Sequence, residues 1–244
     1  MNIKNFALKK QLDNIYSFLW SRGIERQASL LIVLIILVIF ISSYSPHFLS
    51  WRNFIHLSRN LSISGIFAVG MTLVILTGEI DLSISSTISL SGLLLVGVTK
   101  DYGIFLGIIV CLLSGIIIGA INGLLVTKGK IPSFAASLAI MLVVSGTAML
   151  YCHGSPIHGL PDGFRKLGTS LIRGIPIPFF IFMAILILSN FLFKLKIGNY
   201  IYAVGGNINA ARLSGIDVGK VKVFVFIVMG FLASFGSMIL TART

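Results

Sequence analysis

Charged residues are scarce in this sequence. They make up 11% of its 244 residues, against about 25% in ordinary soluble domains. Acids are scarcer still, at seven. The two cysteines, Cys111 and Cys152, have no metal-ligand spacing and read as two buried free thiols. The four histidines stand scattered at 47, 56, 153 and 158, which excludes a metal cluster or a catalytic triad by pattern. No G-x-x-x-x-G-K-[ST] occurs, because "GLLVTKGKI" has the wrong spacing and no following hydroxyl. The chain therefore shows no site for hydrolysing a nucleotide, and work done through it must draw on a gradient or on a partner. Short alternating segments are missing too, which excludes a transmembrane β-barrel.

What is present is hydrophobic length. Between the charges lie seven uncharged runs, 27–51, 60–78, 82–99, 102–127, 131–161, 174–193 and 223–242. Roughly 20 residues of helix cross a bilayer core, so the expected fold is all-α, a polytopic transmembrane bundle with about seven spans. The first run follows a long polar lead with no small-residue cleavage site, and reads as a retained span rather than a signal peptide. A net charge of +12 could point to nucleic acid, but the cations lie in the short connections between apolar runs and form no soluble basic face. With the N-terminus inside, the inner segments carry Lys4, Lys9, Lys10, Arg22, Arg26, Lys128, Lys130, Lys194, Lys196, Arg212, Lys220 and Lys222. The outer segments carry Arg52, Arg59, Lys100, Arg165, Lys166, Arg173 and Arg243. That bias, twelve against seven, predicts a cytoplasmic N-terminus by the positive-inside rule.

Residues 1–27 read as a cytoplasmic, basic, mildly amphipathic segment on the inner lipid surface, and 28–244 as the transmembrane domain. Gly115, Gly119 and Gly123 form a small-xxx-small ladder suited to close packing within the subunit. Tyr151 to Pro178 holds four of the six prolines and is expected to be an extracytoplasmic, non-helical stretch. The longest inner connection after the N-terminal segment runs over 197–220.

Two motifs stand out. In "GMTLVILTGEIDLSISS" two acids interrupt apolar sequence. Gly78 permits a helix break, and Asp81 ahead of Ser83 can cap the next helix. The other readings of Glu79 and Asp81 are a polar lining of a solute path and a carboxylate pair doing chemistry. On a continuous helix residues two apart point about 200° away from each other, so the pair converges only if the helix breaks between them. The second motif, Asn209-Ala210-Ala211-Arg212-Leu213-Ser214-Gly215, reads as a short helix with an Asn cap and a Gly stop, Asp217 then capping the next span. It either lies against its own bundle or docks a soluble partner. In the docking reading Ala210 and Ala211 pack closely in a groove, Leu213 anchors in an apolar pocket and Arg212 meets an acid.

"GMTLVILTGEIDLSISSTISLSG", "GAINGLLVTKGKIPSFAASLAIM" and "GGNINAARLSGIDVGKVK" together resemble the ribose-type sugar permeases of bacterial ABC importers. Order and spacing agree from about residue 30 to the last residue. The resemblance implies a multi-pass subunit of the bacterial inner membrane that is not itself an enzyme and needs no cofactor. It implies translocation of a ribose-like pentose, a hexose or a related sugar. The implied partners are a cytoplasmic ABC ATPase, a periplasmic or lipid-anchored sugar-binding protein and a second permease copy, in a homodimer or a heterodimer. It implies that the loop matching Gly206 to Lys220, with Asn207, Asn209, Ala210, Ala211, Arg212, Leu213, Ser214 and Gly215, carries the coupling helix. Members usually continue through further C-terminal spans, so a chain ending at "ILTART" is expected to be truncated relative to them. The competing expectation is an ion-coupled secondary transporter using Glu79 and Asp81, whose uptake would follow a proton gradient and ignore ATP.

Overall fold

The computed structural model describes residues 24–243; the expected basic segment over 1–27 lies, up to residue 23, outside them. The chain divides into Met1–Phe54 and Ile55–Thr244. In the first unit α1 (Ile24–Tyr44) exposes apolar side chains all round, from Leu30 through Phe40. A helix of that kind suits lipid rather than water.

The second unit is a bundle. It holds most of α2 (Trp51–Leu76), then α3 (Ile84–Tyr102), α4 (Ile104–Thr127) and α5 (Ser133–Cys152), followed by α6 (Asp162–Thr169). A two-stranded ribbon, β1 (Leu171–Ile172) and β2 (Ile175–Pro176), comes next. The chain continues as α7 (Ile177–Lys194), α8 (Lys196–Gly206), α9 (Ile208–Leu213) and α10 (Val218–Thr241). Among the described residues, five helices are long and apolar enough to cross a membrane: α2, α4, α5, α7 and α10. Of the other two expected spans, the apolar stretch of α1 from Ala28 is shorter, and α3 carries Lys100 and Asp101 in its last turn.

α10 is the central post. The glycine ladder of α4 lies on it: a Cβ on Gly115 would strike the Gly230 carbonyl, and one on Gly119 the Phe226 carbonyl. Backbone meets backbone there, so the ladder serves packing inside the subunit, as its spacing predicts. Val225, Phe226 and Met229 join Leu73 and Val74 of α2 and Ile201 and Val204 of α8 in the main core. Ser237 Oγ donates to the Ile88 carbonyl at 2.6 Å, tying α10 to α3.

Contacts sort the connections to the two ends of α10. At its start lie the α2–α3 link, joined through Lys222 to Glu79, and the α4–α5 link, where Ser133 Oγ accepts from Ile80 N at 3.1 Å. At its finish Gly168 of α6 packs on Ala242 and Arg243, and Arg243 donates to Asn60 Oδ1 at 2.7 Å. Lys128 and Lys130 are thus at the opposite end from residues 162–173.

The stretch from Tyr151 to Pro178 is not non-helical throughout. Pro161 precedes α6, Asp162 sits in its first turn, and Phe164 and Leu167 turn into the bundle. Arg173 and Gly174, with φ of 50° and 83°, make the two-residue turn of the ribbon, in which Ile172 pairs with Ile175. Proline and glycine here start a helix and turn a hairpin rather than abolish regular structure.

Candidate functional site

The helix break expected at Gly78–Ser83 is present between α2 and α3. Glu79 N donates to the Val74 carbonyl at 3.2 Å and Gly78 N to the Ile75 carbonyl at 2.9 Å. Gly78 itself sits at φ 76°. This is a Schellman stop, and glycine supplies the left-handed residue it needs. The Gly205 backbone seats against the Leu76 carbonyl with no room for a Cβ, so α8 abuts the end of α2.

The two acids engage different elements. Glu79 accepts from Lys222 Nζ, and these side chains are 11% and 14% exposed respectively. Asp81, 4% exposed, accepts from Ser83 N at 2.8 Å and Ser83 Oγ at 2.7 Å. Ser83 Oγ in turn accepts from Asn122 Nδ2 at 2.8 Å. Asp81 thus does not cap the first turn of α3 directly, as the sequence suggested. It pins Ser83, the residue in the cap position, whose own side chain makes no capping bond. The difference follows from reach: a carboxylate two residues ahead of the cap closes an Asx turn on the i+2 amide. Burial pushes the Asp81 carboxyl up from the ordinary carboxylate range, against the two Ser83 bonds that favour the anion. Nothing brings the acids together as a reactive pair, and among the described residues no three His, Cys, Asp or Glu side chains gather as metal ligands.

The short helix of the connection is α9. Its cap is Asn207, not Asn209: Asn207 Oδ1 accepts from Asn209 N and Ala210 N, each at 3.0 Å. Gly206 is the last residue of α8, so the chain turns between two helices at Asn207, which is extended at φ −156°. Gly215 does stop the helix. At φ 79° it lets Ile216 N reach the Ala211 carbonyl and Gly215 N the Arg212 carbonyl, both at 3.0 Å. Asp217 then caps α10 by accepting from Lys220 N at 3.0 Å, and those hydrogen bonds hold its carboxyl below the ordinary range.

The faces of α9 differ from the docking expectation at one residue. Ala211 is 3% exposed, packed in the core with Ile201, Val204, Val218 and Val221. It anchors α9 to its own bundle and offers nothing to a partner's groove. Asn209, Ala210, Arg212 and Ser214 are exposed, and Leu213 is 91% exposed. Six helical residues would not hold a helix in water; two caps and the buried Ala211 hold this one with Leu213 turned outward. Beside it a cavity of about 400 Å³ is lined by Glu79, Lys130, Ser133, Arg212, Gly219 and Lys222. Break, α4–α5 link and α9–α10 segment therefore meet at one end, with more positive than negative charge around them.

Sequence reasoning missed Lys222, Ser133 and Asn122 as partners of the break. Asn122 alone left a signal, a lone amide inside the apolar glycine-ladder helix.

A family model described as branched-chain amino acid transport system / permease component matches residues 53–244. The ribose import permease protein of Haemophilus influenzae is 43% identical over 218 residues, 87% of this chain and 68% of that protein. The ribose import permease protein of Bacillus subtilis is 41% identical over 225 residues, 91% of this chain and 70% of that one. The L-arabinose ABC transporter permease protein of Azospirillum brasilense is 33% identical over 216 residues, 87% of this chain and 64% of its own length. No solved structure matches the chain.

Proposed function

The chain belongs to this permease family, among its ribose-type sugar ABC permeases, and on that premise we propose that it forms the sugar path of an importer whose force arrives through α9. It is a multi-pass protein of the bacterial inner membrane. The family description names amino acids, but the relatives at 41–43% identity are named for ribose, and the greater similarity favours a monosaccharide of that kind as cargo. On a topology of seven spans with the N-terminus inside, the break, the α4–α5 link and α9 belong to the cytoplasmic face. The excess of inner lysine and arginine supports that orientation. A cytoplasmic ATPase then docks on α9, a sugar-binding protein delivers on the opposite face, and a second permease copy completes the path.

The observation that carries this reading is α9 itself: a helix seated by the buried Ala211 that holds a nearly bare leucine away from its own bundle. Leu213, 91% exposed, costs free energy in water and gains it in an apolar pocket. The acids support no rival reading, since Lys222 and Ser83 occupy them. The test is Leu213→Ala in the full-length permease in lipid nanodiscs, with the ATPase titrated. Losing about three carbons of buried contact weakens docking by roughly 2 kcal/mol, about 30-fold in Kd. Unchanged affinity would move the docking surface elsewhere.

A further inference from the structure

At the opposite end of the bundle a second cavity, about 460 Å³, opens between α3, α10 and the strap Pro156–His158. It adjoins a recess of about 150 Å³ beneath Leu160 and Arg165, the two sharing Val96, Ile157, His158 and Thr241. The larger volume lies within the range of roughly 300–1,000 Å³ usual for small-molecule sites. We propose that this cavity is the outer sugar subsite of the permease, receiving one neutral monosaccharide under the strap; the assignment rests on the sugar-importer reading above.

The lining has the chemistry of a neutral polyol site. Ser89 Oγ donates to the Ser85 carbonyl at 3.0 Å and Ser237 Oγ to the Ile88 carbonyl at 2.6 Å. With its proton committed, the Oγ of the exposed Ser89 presents lone pairs that accept from sugar hydroxyls, while Ser237, 1% exposed, braces the wall behind it. Gly92 brings the hydroxyls close to α3: a Cβ there would lie 2.7 Å from Thr241 Oγ1 and 2.9 Å from Ser237 Oγ. Leu93, Val96 and Ile157 give the apolar wall that the C–H face of a sugar ring needs. Among the described residues no acid lines either chamber and Arg165, at the smaller recess, is the one permanent cation; it stands 3.9 Å from Asp162. A charged solute would leave water in the larger cavity without an opposite charge, whereas hydroxyl groups are met. His158 is the one side chain of the strap able both to donate and to accept a hydrogen bond above the ring. Below Ser89, Ser85 is exposed one turn along the same face of α3, so hydroxyls continue from the cavity toward the helix break.

The experiment uses the complete importer, full-length permease with its ATPase and binding protein, in proteoliposomes, and follows uptake of radiolabelled ribose, arabinose and glucose. Ser89→Phe fills the cavity and is expected to abolish ATP-dependent uptake while the complex assembles and retains its basal ATP hydrolysis. Ser89→Cys, introduced with Cys152→Ala, tests the site without a bulky residue during folding. An impermeant methanethiosulfonate reagent added from the binding-protein side should block uptake, and the transported sugar should slow that block. Wild-type uptake by an assembled Ser89→Phe importer, or modification of Cys at position 89 without effect on uptake, overturns the subsite and leaves the sugar-importer reading standing. Failure of the unsubstituted importer to move any of the three sugars would instead remove the reading on which the subsite rests.

Discussion

Glu79→Gln removes one charge from a pair whose members are 143 residues apart in sequence. The glutamine keeps the shape of the side chain, so the effect is electrostatic. Lys222 is then left 14% exposed with no anion beside it, and the lining of its cavity offers further cations, Lys130 and Arg212. Removing one member of a buried pair costs about 3–5 kcal/mol. Because one side of this pair faces a cavity, screening reduces that to about 2–3 kcal/mol. Lys222→Met in the same background removes the stranded charge and should recover most of the loss. The assay is reversible unfolding of the four permeases of a double-mutant cycle, unsubstituted, both singles and the double, in mixed SDS micelles. Limited proteolysis across 207–216 accompanies it, because α10 begins directly after α9 and its first turns carry Lys222. Expected are a coupling energy above about 1 kcal/mol and faster nicking in the single variants. A coupling below about 0.3 kcal/mol would mean that the pair is no more than a surface contact and that the break is held by backbone alone.

Three further outcomes follow from packing. Ala211→Trp places an indole in the core beneath α9, where overpacking costs about 1–3 kcal/mol; it should loosen 207–216 to proteolysis and weaken ATPase docking together, whereas Leu213→Ala weakens docking with the loop still protected. Gly119→Val pushes a side chain into the Phe226 carbonyl and should lower stability in detergent by about 2–3 kcal/mol, while Gly146→Val, where a Cβ meets nothing within 4 Å, should leave the melting temperature nearly unchanged. Asp81→Ala strips Ser83 of both its acceptor contacts at a cost of about 1–3 kcal/mol. Asp81→Asn keeps an acceptor and sheds the burial penalty on the charge, so its melting temperature at neutral pH should equal or exceed that of the unsubstituted protein.

Several features were legible in one dimension because their physics is local. Hydrophobic length needs only a window, so α4 and α5 lie within uncharged runs, and α2, α7 and α10 overlap theirs and extend past the flanking cations. A left-handed backbone angle needs glycine wherever the helix lies, so the stops at Gly78 and Gly215 could be placed by eye. The glycine ladder of α4 announced close packing in the same way, although its partner, α10, was not named by it. Tertiary structure decided what each polar residue met. Glu79 could have faced a path, lipid or a second acid; the return of the chain 143 residues later supplied Lys222. Asp81 could have capped α3, but the turn geometry spends its carboxylate on Ser83, and α4 brings Asn122 to complete the chain of bonds. On α9, Ala211 and Leu213 are both apolar and nearly adjacent, and no pattern over six residues says which faces inward. The core of α8 and α10 packs on the methyl group and leaves the leucine outside, since residues two apart on a helix point about 200° away from each other.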